Sequence, residues 1–423
     1  MSSRALKAVL AVAVVMAVAA AGVAMLNVRD EPADTDGDGS AFQPAADVVA
    51  RGEYLARAGN CDACHTARGS APYAGGVGID TPFGIVYSSN ITPDAETGIG
   101  RWTAGQFWRA MHNGRSRDGR LLYPAFPYPN FTQITRADSD ALYAYLRSVA
   151  PVRQPERPHA LRFPYDSQAA LAVWRALFFR PGAYEPDPAR SAEWNRGGYL
   201  VRGLGHCNAC HASRNVFGAT TGRLELGGGL IPMQKWYAPS LASSQEAGVA
   251  EWDVREVVAL LKDGVAPRAS VQGPMAEVVY RSTQYLSDDD LRAMAVFLQQ
   301  LPQSPRETHG IIQRDPATME QGAKLYDQRC KECHGPQGEG APGAYPALAG
   351  NRAVNLDTPA NLVRVIVYGG FLPSTRGNPR PHGMQPFSHE LDDNDIAALL
   401  TYMRGSWGND APVVTPLQVL RSR

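Results

Sequence analysis

Three short frames use every cysteine in the chain: CDACH at Cys61–His65, CNACH at Cys207–His211 and CKECH at Cys330–His334. On one helical turn, residues i, i+3 and i+4 share a face, so two thiols and an imidazole can approach one planar ligand together. Covalent haem attachment needs that arrangement, with two thioether bonds to the vinyl groups and a His nitrogen below the iron. Cys61, Cys64, Cys207, Cys210, Cys330 and Cys333 are therefore the expected attachment points of three haem c groups. His65, His211 and His334 are the expected proximal iron ligands. Zinc would need partner pairs and leaves the third frame unexplained. A thioredoxin-type pair needs a βαβ context that is absent, and a disulfide does not explain why His follows each time.

The surroundings of the frames repeat as well, which is the mark of an array of like domains. ARGEYLARAGNCDACHTA, NRGGYLVRGLGHCNACHAS and EQGAKLYDQRCKECHG each place a Gly and an apolar helical pattern before the frame. Downstream, RADSDALYAYLRSV, LSDDDLRAMAVFLQQL and LDDNDIAALLTYMRGS open on acidic residues suited to a helix N-terminus, then repeat apolar residues at three and four spacing. Each unit reads as helix, haem frame, irregular cover and closing helix. This resembles the class I cytochrome c fold, whose first and last helices cross near the haem. The expected architecture is mainly α, with three tandem units at 46–152, 192–302 and 316–407. Residues 153–191 and 303–315 read as linkers and 408–423 as a tail. The first linker holds several Pro and the aromatic WRALFF, as an ordered connection would.

A proximal His leaves the far side of each iron open, and Met or a second His usually fills it. Of ten methionines, Met1, Met16 and Met25 lie near the start, Met294 and Met403 in closing helices, and Met319 ahead of its own frame. In the third unit HGMQPF offers Met384, with His382 and His389 as local rivals. In the second, QGPMAEVV offers Met275, while Met233 in LIPMQKWYAP reads as packing near the haem edge. The first unit departs. WTAGQFWRAMHNG aligns with WDVREVVALLKDG, and counting on from Gly114 and Gly264 sets Phe126, in the proline-rich LYPAFPYPNF, against Met275. Phe cannot ligate iron. Met111, which aligns with Leu261, is the substitute ligand, with core packing as its alternative. His112, expected to point outward, and an open iron are the others.

The start of the chain is distinct. Arg4 and Lys7 precede an apolar run from Ala8 to Leu26, 19 residues long and followed by polar residues. It is longer than the usual signal core and about long enough to span a bilayer, so residues 1–45 read as a signal peptide or membrane anchor plus a tether. Either exports the rest. With 44% hydrophobic residues the remainder can fold, and 41 Gly with 32 Pro imply many irregular connections. Basic and acidic residues number 41 each, which leaves no basic field for nucleic acid. GGGL at Gly227–Leu230 lacks the dinucleotide-binding frame and reads as a loop.

Together with VYSSNITPDAETGIGRWT, DGRLLYPAFPY, WYAPSL and GPMAEVV, the three-frame layout resembles the triheme cytochrome c subunits of membrane-associated bacterial dehydrogenases. Relatives serve alcohol, gluconate and sorbitol dehydrogenases and molybdenum hydroxylases. In the alcohol and gluconate group Met stands where this chain has Phe126, and the Phe loop is more similar to cytochrome partners of molybdenum hydroxylases. The resemblance implies a wire with no substrate chemistry of its own. Electrons would pass from a dehydrogenase catalytic subunit, of molybdenum hydroxylase or quinoprotein or flavoprotein type, to membrane quinone or a terminal oxidase. The site would be the periplasmic face of the cytoplasmic membrane, where the N-terminal segment or the partner holds the chain. A peroxidase-like haem enzyme with an open first haem, and a free-standing respiratory carrier, are the alternatives.

Overall fold

The computed structural model describes residues 2–31, 44–220, 226–304 and 310–423, so most of the expected tether and residues 305–309 of the second linker lie outside the described residues. The chain is mainly helical, with only short strands, and divides into two compact units. One comprises Met1–Ala56, Cys61–Glu185 and Val216–Ala219; the other comprises Arg57–Asn60, Pro186–Asn215 and Thr220–Arg423.

The first unit begins with α1 (Ser3–Val28), the one helix among the described residues long and apolar enough to cross a membrane. After α2 (Ala46–Ala58) comes the first frame, itself the helix α3 (Cys61–His65). A hairpin of β1 (Gly78–Thr81) and β2 (Gly84–Tyr87) leads to α4 (Ala104–Asn113), α5 (Tyr128–Phe131) and the closing helix α6 (Arg136–Ser148). Thr103 starts α4 with a capping box shared with Gln106, and Gly114 ends it in the left-handed region at φ 59°. The stretch 153–191, expected to connect, contains β3 (Ala160–Leu161), which adds to β2, and α7 (Gln168–Phe178), which packs on α1.

In the second unit α8 (Ala192–Tyr199) runs into a π-helical turn, Leu200–Leu204, ahead of the second frame. There follow α9 (Val254–Asp263), α10 (Pro274–Arg281) and the closing helix α11 (Asp288–Gln299). The third set is α12 (Pro316–Arg329), α13 (Lys331–His334), α14 (Arg352–Asn355), α15 (Ala360–Tyr368) and α16 (Asp393–Arg404). The stretch 408–423, expected to be a tail, carries α17 (Pro416–Ser422), and its Val414 and Val419 join the core built by Ile366, Ile396, Leu400 and Met403.

One crossing recurs in all three sets. A Cβ on Gly52, Gly197 or Gly322 would land on the carbonyl of Ala141, Ala293 or Ala398 in the closing helix, so the opening helix passes as close as backbone permits. The residue before each glycine fixes the register. Arg51 Nε donates to Asp138 Oδ1 at 2.8 Å, Arg196 makes two 2.7 Å bonds to Asp290, and Gln321 donates to Asp395 at 3.0 Å. The acidic starts of the closing helices thus hold the crossing in addition to favouring their own first turns. α6 and α11 are capped by Thr135 and Ser287, whose hydroxyls accept from the N–H of the same Asp138 and Asp290.

Candidate haem sites

Each frame closes one helical turn. His211 N–H donates to the Cys207 carbonyl at 2.9 Å and His334 N–H to that of Cys330 at 2.9 Å, while His65 ends α3. In the second frame only the first three residues are helical, in a 3-10 turn after His206 at φ 38°, yet the Cys-to-His bond keeps the turn.

The imidazoles are oriented alike. Nδ1 of His65 lies 2.8 Å from the Ser89 carbonyl, that of His211 2.7 Å from Pro239 and that of His334 3.0 Å from Pro346. A carbonyl only accepts, so Nδ1 carries the proton and Nε2 presents its lone pair, as an iron ligand must. Burial lowers the pKa of all three rings against the weaker pull of those carbonyls, which favours the neutral, ligating form. Burial also pushes the Cys61 and Cys207 thiols up to about 12 and Cys330 to about 11, as in apolar seats suited to an uncharged thioether. None of the six thiols is in a disulfide. The donor set therefore fits haem c: paired thiols for the vinyl groups and a pre-oriented, neutral imidazole.

A second bond repeats with the first. Gly75, Gly228 and Gly340, at φ 77°, 80° and 66°, donate their N–H to the carbonyl of His65, His211 and His334 at 2.7, 2.9 and 2.8 Å. A Cβ on Gly75 would strike the Ser89 carbonyl, and one on Gly340 would strike the Tyr345–Pro346 backbone. Each frame His is thus clamped at its backbone by a glycine that also abuts the segment holding its ring. Gly228 lies in GGGL, so that stretch, read as a plain loop, is part of the second seat, and Gly229–Leu230 pairs as a short strand with Tyr237–Ala238. Sequence reasoning missed the glycines and the carbonyls. The signal available was a Tyr just before each carbonyl: Tyr87, Tyr237 and Tyr345.

The chain around the first two carbonyls is pinned. Asn90 is buried, donating to the Val152 carbonyl at 2.7 Å and to Thr97 at 3.0 Å, while its own oxygen accepts from Thr92. Tyr237 is bracketed by Asn361 of α15, whose amide accepts from its N–H and donates to its carbonyl, both at 2.8 Å.

The expected sixth ligands fall in three different settings. Met384 is partly buried in a two-residue strand paired with Gly370–Phe371 and packs on the same core as Cys330. His382 and His389 are exposed. Met275 sits half-buried in the first turn of α10 after Gly273, where a Cβ would meet the Trp236 ring. The WYAP stretch therefore touches the turn before Met275 and, through Pro239, His211. Met233 is exposed. In the first unit Met111 is buried on α4, one turn before the Gly114 cap, at the position taken by buried Leu261 on α9 and Ile366 on α15. Phe126 packs against Phe131 and Tyr128, and the Tyr128 ring is seated on Gly114, so LYPAFPYPNF covers the end of α4. His112 does not point outward. It is buried, stacked 4.4 Å from Trp108, with Nδ1 3.4 Å from the Thr132 hydroxyl, because the α5 loop folds over that face of α4.

The geometry fits a c-type cytochrome, mainly helical, the class that binds haem covalently. A cytochrome c family model matches residues 49–150 and 319–407. The chain is 40% identical to the cytochrome c subunit of the quinone alcohol dehydrogenase of Gluconacetobacter polyoxogenes, over 92% of this chain and 87% of that one. It is 36% identical to the gluconate 2-dehydrogenase cytochrome c subunit of Pantoea cypripedii, over 86% of each. It is 42% identical to a nicotinate dehydrogenase subunit of Pseudomonas putida, over 87% of this chain and 31% of that one. The chain belongs to the family of dehydrogenase cytochrome c subunits.

Proposed function

We propose that the chain carries three haem c groups and relays electrons from the catalytic subunit of a periplasmic dehydrogenase to membrane quinone or a terminal oxidase. The observation that carries this reading is the threefold repeat of one seat: CxxCH, a carbonyl on Nδ1 and a positive-φ glycine on the His carbonyl. Bound haem supplies one-electron exchange at iron, and the protein contributes position, water exclusion and tuning of potential. Its units are 46–152, 192–302 and 316–407. Cys61, Cys64, Cys207, Cys210, Cys330 and Cys333 hold the haems. His65, His211 and His334 ligate the proximal side, and Met275, Met384 and Met111 the distal side. Met111 is preferred to His112 because the imidazole is engaged by Trp108 and Thr132.

Phe126 favours a donor of the molybdenum hydroxylase type over a quinoprotein or flavoprotein. Purification of the tagged chain from its native membranes tests the reading. A large catalytic subunit is expected to copurify, and its substrate to reduce the haem absorbance. A chain that purifies alone, with haems that no copurified enzyme reduces, would contradict it.

A further inference from the structure

The far end of α1 is built into the first unit. Asn27 is buried; its amide nitrogen donates to the carbonyls of Val23 and Ala172, both at 2.9 Å, and its oxygen accepts from Arg175 Nε at 2.9 Å. Arg175, only 3% exposed, also donates to the Gly114 carbonyl at 3.2 Å and stacks on Tyr128, so the same guanidinium reaches the cover of the first haem frame. Arg115 donates to the Asn27 carbonyl at 3.0 Å and pairs with Glu31 at 3.1 Å, and Arg29 donates to the Phe179 carbonyl at 2.6 Å. The stretch Asn27–Glu31 is thus a structural part of this unit, and α1 reaches it without a break.

Length then places α7. The apolar run Ala8–Leu26 is about 28 Å long as a helix, close to the ~30 Å hydrocarbon thickness of a bilayer, and none of its most apolar window is buried by protein. Arg4 and Lys7 flank the other end, as on a cytoplasmic face. The hydrocarbon boundary therefore falls beside Leu26, one residue from where Asn27 docks on the middle of α7. The outward face of α7 is apolar, with Val173 47%, Leu177 69% and Phe178 38% exposed, and Phe217, 53% exposed, stacks 5.9 Å from Phe178. Leu171 and Arg175 face inward, so α7 has the two-sided character of an interfacial helix.

We propose that α1 remains on the exported chain as a single membrane span, and that the exposed apolar face of α7, with Phe217, rests in the lipid interface beside it. The occupant is lipid because the face lies at the level where the span leaves the hydrocarbon. Haem-loaded protein purified from the exporting host, reconstituted in phosphatidylcholine vesicles with a photoreactive acyl chain, tests both parts by mass spectrometry. The expected result is an intact chain that includes the Ala8–Leu26 peptide, with lipid adducts on α1 and on the Gln168–Phe178 peptide. The double variant V173E/L177E should lower the α7 adduct several-fold with haem absorbance unchanged. A chain beginning after Leu26, or adducts confined to α1, would overturn the proposal. Haem content is read in the same sample, so this failure is distinct from failure of the electron-transfer reading.

Discussion

The glycine beneath each frame His sets a tight limit on substitution. Gly340→Ala puts a Cβ at φ 66° against the Tyr345–Pro346 backbone, so a loss of about 1–3 kcal/mol is expected, read as a lower Tm of the haem-loaded protein. At the distal side Met384→His should keep a low-spin spectrum but lower the potential of one haem, measured by redox titration, because a thioether raises potential relative to a second imidazole. M111L installs the residue found on α9; loss of one low-spin signal is expected, and an unchanged spectrum would assign Met111 to packing. At this scale the sequence was legible wherever a side chain does the chemistry. The CxxCH frames belong to that class, each closing the helical turn expected of it. Ser89, Pro239 and Pro346 act through backbone carbonyls, which any residue type carries, and they follow their His by 24, 28 and 12 residues, with no shared spacing to detect.

Between elements, the repeated crossing is the feature most exposed to test. Arg196→Ala leaves the buried Asp290 carboxylate without its two bonds, and about 1–3 kcal/mol of stability should be lost, measured by denaturant unfolding followed at the second haem. Asn361→Leu removes both bonds to the Tyr237 backbone, which leads into the Pro239 carbonyl. Its expected signature is a shift in the potential of the second haem with haem content unchanged. The opening and closing helices were legible because apolar periodicity, and acidic residues in the first turn of each closing helix, survive in all three copies. The π-helical turn at Leu200–Leu204 was not, since one extra residue in a turn leaves composition unaltered. Helix α7 was partly legible. Its apolar WRALFF was visible, but that Arg175 faces inward to α1 follows only from packing across 148 residues.

Across the whole molecule, one chain with two compact units holds three copies of one seat, and the second and third copies share a unit. The three-copy count comes from the sequence pattern and from the shared Nδ1 and glycine bonds, whereas the family model marks the first and third regions. The proposed donor is a separate catalytic subunit and the proposed acceptor, a quinone or an oxidase, also lies outside this chain, so no residue here could name them. The most direct measurement is the covalent haem content of the exported chain: intact mass under denaturing conditions, with haem absorbance per polypeptide. Three haems retained per chain are predicted, falling to two when Cys207 and Cys210 are both changed to Ser. Two haems in the unsubstituted chain, or haem released on denaturation, would contradict the account.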